Sequence, residues 1–399
     1  MKIVYLTPQL PYPPFSGGRK KTLSTLKALY ALGIEVIVFT FIEDYKEKKF
    51  INELYKIGIK KIFIFYNREI AEKSRKKQLI RIVKSVFSKK PYGVLRYYSK
   101  DFDDAVRNYV NENINDIDYF WTNFIYMVQY VTEGFKGKMV MESQDVESRL
   151  FQQAFLKGSI LHLKLLYLLE WIKYFNYEKK IYKKFNIIFT VSDADKSLLN
   201  RITGKKNIFT LPPVIRTHIG EFKFKKNTLL FVGDLYWYPN KDSLTWFLKK
   251  IYPKLKVKIP GLELWIVGRL SPNYKLIKLD GVKYLGFQPY SKLIKYLSKA
   301  QIFVAPMIYG TGIKMKILEA MSWGLPVVTT LKGITGINVK HNKEVMVAKN
   351  DEEFIDLTLE LKNNDKLRQK LIKNAYEFIE KNYTRQNLVG IIRKNLFAG

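Results

Sequence analysis

Residues 305–328 read Ala305-Pro306-Met307-Ile308-Tyr309-Gly310-Thr311-Gly312-Ile313-Lys314-Met315-Lys316-Ile317-Leu318-Glu319-Ala320-Met321-Ser322-Trp323-Gly324-Leu325-Pro326-Val327-Val328. The run that leads into them, Ile302 to Ala305, is short and apolar, the pattern of a buried strand. Gly310 and Gly312 permit tight turns and close backbone approach. A helix is predicted from about Ile313, so that its free N–H groups and positive dipole end face the glycine loop. That arrangement suits a diphosphate. Lys314 and Lys316 add mobile positive charge. Glu319, under two turns into the helix, offers a carboxylate to both hydroxyls of a ribose. Gly324 closes the helix and Pro326 opens the next strand. The full dinucleotide fingerprint and the P-loop are absent. A plain strand–helix–strand unit with a solvated Glu319 is the alternative reading of the same residues.

The alternation extends in both directions. Upstream lie a strand Thr228–Val232, a loop Gly233–Asn240, a helix Lys241–Ile251 and strands Leu262–Val267 and Val282–Leu285. The N-terminus repeats the scheme: strand Lys2–Leu6, a Pro/Gly-rich loop Pro8–Gly18, a helix Arg19–Leu32 closed by Gly33, then strand Glu35–Thr40. Further short apolar runs are Lys61–Phe65, Tyr119–Thr122, Met139–Met141 and Ile187–Val191. Strand, loop, helix, strand is a βαβ unit and predicts parallel sheets. The 399 residues exceed one ordinary core. Pro212-Pro213 and the lysine-rich stretch Glu221–Asn227 punctuate the chain. The expected division is 1–215, 226–384, and a terminal helix 385–399 crossing back to the first domain.

Composition bounds the function classes. Apolar residues make up 47% and aromatics 15%, which excludes global disorder. Cysteine is absent, so disulfides, cysteine zinc sites and a cysteine nucleophile are excluded. His162, His218 and His341 are the only histidines, and none stands at ligand spacing with carboxylates, so no metal site is expected. Asp193 and Asp195 read as a helix cap rather than a metal pair. The N-terminal apolar run stops at Thr7-Pro8, too short for a signal peptide. The longest apolar stretch, Ile160 to Phe175, is broken by His162, Lys164, Glu170 and Lys173, whereas a membrane span needs roughly 20 mostly apolar residues. The expected location is cytoplasmic, either soluble or on the inner membrane surface. Lys plus Arg number 69 against 36 acidic residues, a net charge of +33. Such a field attracts polyanions, although a lysine-rich, AT-biased composition gives the same balance without a partner.

The run at 305–328 resembles the donor-site motif of retaining GT-B glycosyltransferases, above all glycosyltransferase family 4: a glycine loop, Lys, then Leu-Glu-Ala-Met and Gly-x-Pro-Val-Val. The family's usual pattern has two glutamates. The second matches Glu319, while the first position holds Thr311, as in a subset carrying Gly-Thr-Gly-Ile-Lys. Leu229–Leu235 with Tyr238-Pro239-Asn240 resembles the start of the family's second domain, where a basic residue meets the phosphates; Lys241 is the nearest candidate. Leu264–Arg269 resembles a strand and loop beside the base, with Arg269 either a phosphate contact or structural. Tyr284-Leu285-Gly286-Phe287 resembles the loop whose backbone at Phe287 reads the base edge. Ser16-Gly17-Gly18-Arg19 resembles the loop over which donor and acceptor meet. Glu142–Glu147 stands where relatives carry a histidine, here Gln144, leaving Asp145 and Glu147 for acceptor contact. Val191–Asp195 resembles the end of the first domain's sheet, with Ser192 near the cleft.

The resemblance implies an α/β fold of two Rossmann-like domains whose parallel sheets face a central cleft. It implies transfer of a sugar from a nucleotide-diphosphate sugar to a hydroxyl acceptor with retention, and neither metal nor further cofactor. The implied catalytic residues are Lys314, Glu319 and Asp145. The implied donor contacts are Gly17, Gly18, Gly233, Lys241, Arg269, Phe287, Gly310, Thr311, Gly312, Ile313, Lys314 and Glu319. The acceptor is expected to be a glycan or lipid-linked, in surface polysaccharide or glycolipid synthesis. Residues 72–92 interleave Lys73, Arg75, Lys76, Lys77, Arg81, Lys84, Lys89 and Lys90 with Leu79, Ile80, Val83, Val86 and Phe87. That basic amphipathic pattern fits an anionic membrane, against the alternative of a core-facing stripe with a solvated basic face. Two other functions stay open: a nucleotide-sugar epimerase of the same architecture, and a non-catalytic basic binding protein. No nucleic-acid-binding motif is present.

Overall fold

The computed structural model describes residues 1–71, 75–132, 134–157, 164–218, 224–271, 274–310 and 312–397, with the side chains at 68, 75–79 and 157 excepted. Thr311 and His162 lie outside the described residues. The chain forms two compact units, Met1–Val214 with Arg385–Gly399, and Ile215–Thr384.

The first unit holds seven strands: β1 (Lys2–Thr7), β2 (Glu35–Ile42), β3 (Lys61–Tyr66), β4 (Tyr119–Asn123), β5 (Lys138–Ser143), β6 (Ile187–Thr190) and β7 (Ile208–Thr210). They form one parallel sheet in the order β3-β2-β1-β4-β5-β6-β7. Strand β1 is apolar on both faces because helices cover both. The last helix, Arg385–Phe397, places Leu388, Ile392 and Leu396 in the core beside β1 and β2. The Tyr119 hydroxyl donates to the Leu396 carbonyl at 2.8 Å.

The second unit holds β8 (Thr228–Val232), β9 (Glu263–Val267), β10 (Val282–Gly286), β11 (Ile302–Ala305), β12 (Val327–Thr330) and β13 (Met346–Ala348). They too are parallel, in the order β10-β9-β8-β11-β12-β13. Apolar clusters fill both faces of this sheet.

In each sheet the strand order reverses once, between β1 and β4 and between β8 and β11. The loops leaving those strands flank the crevice where open α/β sheets bind ligands. In the first unit these loops reach Gly17 and Phe124. In the second they are the Gly233 and Gly310 loops.

Three local expectations shift. The helix predicted over Lys241–Ile251 starts earlier, at Tyr238, and continues to Lys258 through a π turn at Phe247–Ile251. Pro253 cannot donate a backbone bond there, so the ladder loosens rather than breaks. Gly17 and Gly18 are the first residues of the helix Gly17–Ala31, not loop residues, because the Ser16 hydroxyl caps it by accepting from the Arg19 N–H at 3.2 Å. Asp193 and Asp195 do not cap the helix Asp193–Thr203. Ser192 does, accepting from the Asp195 N–H, and its own hydroxyl donates to the Asp195 carboxylate at 2.6 Å.

Candidate functional site

In the second unit the glycines of the Gly310 loop take left-handed conformations, φ +125° at Gly310 and +67° at Gly312. The following helix begins at Met315, not Ile313. The two extra loop residues let Lys314 fold back, and its ammonium donates to the Gly312 carbonyl at 2.9 Å. Lys314 is 3% exposed. Its ammonium lies 3.6 Å from the position a Cβ on Gly310 would take. Lys316 also has a fixed partner, the Asn240 side-chain oxygen at 2.6 Å, and its ammonium lies 4.9 Å from the centre of the Phe231 ring. The two lysines are therefore held, not mobile as the sequence suggests. Burial, then the neighbouring Lys314 charge, push the Lys316 ammonium down to about 7.

Asn240 joins the two loops. Its amide donates to the Asp234 carbonyl at 3.0 Å while its oxygen receives Lys316. Gly233 makes room for it, since a Cβ there would stand 3.0 Å from the Asn240 side chain. Sequence reasoning singled out the Tyr-Pro-Asn turn but gave Asn240 no role. The Tyr309 hydroxyl donates to Asp242, and the Ile308 N–H donates to the Ser243 hydroxyl at 3.2 Å. The start of the helix Tyr238–Trp246 is thus strapped to the glycine loop.

The remaining candidates of this unit are dispersed around that centre. Glu319 is half-buried in the second turn of the helix Met315–Ser322. Ile313 is half-buried in the loop. The Lys241 ammonium lies 5.3 Å over the Tyr238 ring. The Arg269 guanidinium grips the Asp234 carboxylate, with Nε at 2.8 Å, and lies 5.5 Å over the Tyr236 ring. Phe287 follows Gly286 (φ +65°) at the end of β10 and its ring is exposed.

Gly268, next to Arg269, permits a close approach of two backbone segments. A Cβ there would stand 1.9 Å from the Gly233 carbonyl oxygen, and its φ is +153°. Gly268→Ala is expected to part the Gly233 loop from β9 and cost about 1–3 kcal/mol. A lowered melting transition, with donor binding weakened at least about tenfold, is the outcome to measure.

In the first unit, Gly18 packs where a Cβ would stand 2.9 Å from the Phe124 ring. One turn later, Lys21 forms a buried ion pair with Glu142, Nζ to Oε1 at 2.8 Å. Burial pushes the Lys21 ammonium down and Glu142 opposes that shift. Tyr5, Trp121, Thr25 and Asn123 also donate to Glu142. The buried Gln144 amide reaches the Asn123 side-chain oxygen at 3.4 Å. Asp145 is half-buried beside it, and its carbonyl receives the Ser143 hydroxyl at 2.9 Å.

Glu147 is buried, not open to an acceptor, and receives the Tyr126 hydroxyl. Glu178 is buried too and receives the Ser148 N–H and hydroxyl. Burial pushes each carboxyl up to about 7. A raised folded-state value means that the folded chain holds protons the unfolded chain releases. Their contribution is full below about 4.5 and is lost as pH rises to about 7. Glu178→Gln is expected to melt higher than the wild type at pH 8 and no higher at pH 5.

Among the described residues, no group of three or more His, Cys, Asp or Glu side chains converges as metal ligands would, and no helix is long and apolar enough to cross a membrane.

Residues 226–364 match the family described as "Glycosyl transferases group 1". The match lies within the second unit. Its Gly233 and Gly310 loops both lie in the matched segment. Over 417 aligned positions the chain is 23% identical to an uncharacterized 44.6 kDa protein in the cps region of Klebsiella pneumoniae, covering 98% of this chain and 99% of that one. Among solved structures it is similar to sucrose-phosphate synthase from Thermosynechococcus elongatus, with TM-score 0.70 and 15% identity over 100% and 99% of the two chains. It is also similar to HepE of Anabaena, solved in complex with UDP, with TM-score 0.66 and 13% identity over the whole of both chains. The likeness shows the fold: the two units are the Rossmann-like halves of a GT-B architecture.

Proposed function

We propose that this protein is a glycosyl transferase that moves a sugar from a nucleoside-diphosphate sugar to a hydroxyl of a glycan or lipid-linked acceptor, with retention of anomeric configuration. The observation that carries the reading is the pair of held lysines, Lys314 and Lys316, at the strand-order reversal of the second sheet. One ammonium at the end of the glycine loop and one on the first turn of the following helix make a cationic centre, and the Lys314 charge disfavours that of Lys316. A diphosphate supplies the compensating charge, and its charge grows as the bond to the sugar breaks.

In this reading the bond between the anomeric carbon and the phosphate oxygen breaks, and the acceptor oxygen bonds to that carbon on the same face. The acceptor proton passes to the leaving phosphate. Lys314 and Lys316 stabilise that phosphate, Glu319 holds the ribose hydroxyls, and Asp145 contacts the acceptor. The lysines supply the countercharge, so turnover is expected to survive a chelator. Two resemblances support the reading: HepE is solved with UDP, and the Klebsiella relative is named for a cps region, which favours a role in surface polysaccharide at the cytoplasmic face of the membrane.

A panel of nucleotide sugars in a thermal-shift assay tests the donor class, since a bound ligand raises apparent stability by mass action. No shift with any of them would sink the proposal. An inverted product would remove the retention. Epimerised donor formed without acceptor would favour the epimerase reading.

Lys316 adds a pH signature. Its free value of about 7 rises when a diphosphate binds. Above pH 7, binding therefore takes up protons, approaching one per site at about pH 8, and affinity falls as pH rises. Calorimetry in buffers of different ionisation enthalpy reads the uptake directly. Lys316→Arg is expected to abolish it.

A further inference from the structure

Over its described side chains, residues 80–86, the helix Arg75–Val86 is inverted relative to an ordinary surface helix. Ile80 and Val83, with Phe87 just past the helix end, line one side, and they are 47%, 53% and 88% exposed. A soluble helix normally turns such a stripe toward the core. Here Arg81 turns inward instead, its guanidinium bound to the carboxylate and carbonyl of Glu69. Ser85 is buried, with its hydroxyl on the Ile82 carbonyl at 2.7 Å. Lys84, Lys89 and Lys90 are exposed around the stripe, and residues 80–90 contain no carboxylate.

A second helix, Lys164–Ile181, stands beside it: the Lys173 ammonium donates to the Ser85 carbonyl at 2.6 Å. It also exposes apolar side chains, Leu165, Ile172 and Phe175, with Lys179 and Lys180 exposed at its end. Its two glutamates, Glu170 and Glu178, are buried. The outer faces of both helices therefore combine exposed apolar groups with lysines and present no acid.

We propose that these two faces form a docking surface for an anionic phospholipid bilayer. The apolar stripe enters the boundary between headgroups and acyl chains while the lysines meet the lipid phosphates. A protein partner of matching acidity would satisfy the lysines but would not require a side chain as exposed as Phe87 on an otherwise basic face. The surface lies near the carboxyl end of β5, where Asp145 stands, because Gly93, just beyond the first helix, packs against Tyr126, the residue that donates to Glu147. A lipid-linked acceptor would thus arrive at the strand end where acceptor contact is proposed, and that last step alone rests on the transferase reading.

The test is sedimentation of the full chain with phosphatidylcholine vesicles, with and without phosphatidylglycerol, at low and high salt. The wild type is expected to pellet only with the anionic vesicles and to be released by salt. Val83→Ser/Phe87→Ser, both at exposed positions, should weaken partitioning at least about tenfold. Lys84→Ser/Lys89→Ser/Lys90→Ser should weaken it about a hundredfold at low salt, since each lysine near the surface is worth about fivefold. Nucleotide-sugar thermal shifts, measured on the same samples, should be unchanged in both variants. These shifts report on the donor reading separately. The inference is overturned if the wild type does not pellet. It is equally overturned if the Val83/Phe87 variant pellets like the wild type, the result expected of an unselective polyanion surface.

Discussion

Lys314→Ala is expected to lower kcat/KM for a nucleotide-sugar donor by about 10²–10³, the usual cost of removing one fixed group aimed at developing negative charge. The ammonium is buried against the Gly312 carbonyl, and its charge contributes to the depressed Lys316 value. A group held this way needs no reorganisation when a phosphate becomes more negative, so its loss falls on the transition state more than on the ground state. The fall should therefore appear in kcat as well as KM. Lys314→Arg should not restore activity, because a planar guanidinium does not take the place of a compact ammonium on the Gly312 carbonyl at so buried a position. A second readout separates lost chemistry from a damaged fold. With the neighbouring charge gone, the Lys316 ammonium rises, so proton uptake on nucleotide binding at pH 8 shrinks. Lys241→Ala is the control. Its ammonium lies over the Tyr238 ring, and its loss should change turnover by about threefold or less. If Lys314→Ala leaves both turnover and donor affinity unchanged, the assignment of the Gly310 loop to the donor phosphates is wrong.

The sequence was most legible where structure is local. Strands such as Lys2–Thr7 and Ile302–Ala305 announce themselves as short apolar runs, because a buried parallel strand is apolar on both faces. Gly310 and Gly312 are legible because few other residues take their backbone angles. What stayed hidden depends on partners distant in the chain. Nothing near Arg269 says that Asp234 will claim it. Nothing near Lys316 points to Asn240, 76 residues earlier. The helix at 75–86 shows the limit of periodicity: its apolar stripe is plain, but a period tells which residues share a face and not which way the face points. Only Arg81 reaching Glu69 and Lys173 reaching Ser85 settle that orientation. Glu142 and Glu147 illustrate the same point for the first unit. The sequence reads Glu147 as a contact for the acceptor and gives Glu142, opening the same turn, no role, yet both are buried and accept hydrogen bonds.

Glu142 should be the costliest single residue to remove from the first unit. Its two oxygens receive five side chains: Lys21 and Thr25 at Oε1, each at 2.8 Å, and Tyr5, Trp121 and Asn123 at Oε2, at 3.0, 3.1 and 3.4 Å. Glu142→Ala strands a buried ammonium and several buried donors at once. Breaking one side of a buried ion pair costs about 3–5 kcal/mol, so calorimetry should show the unit's transition fall by about 10 °C. Glu142→Gln should fall between, since an amide oxygen still accepts but leaves Lys21 uncompensated. The double change Lys21→Met/Glu142→Gln should cost less than the two single changes added together, because the charge that each single variant strands is gone. The pair also has a positional role. Lys21 sits one turn beyond Gly17 and Gly18, so the ion pair pins the glycine end of that helix to the end of β5, next to Asp145. If the double variant regains stability but not turnover, the pair's contribution is the placement of that helix end. If turnover returns with stability, the ion pair is replaceable packing and the first-unit part of the site tolerates its loss.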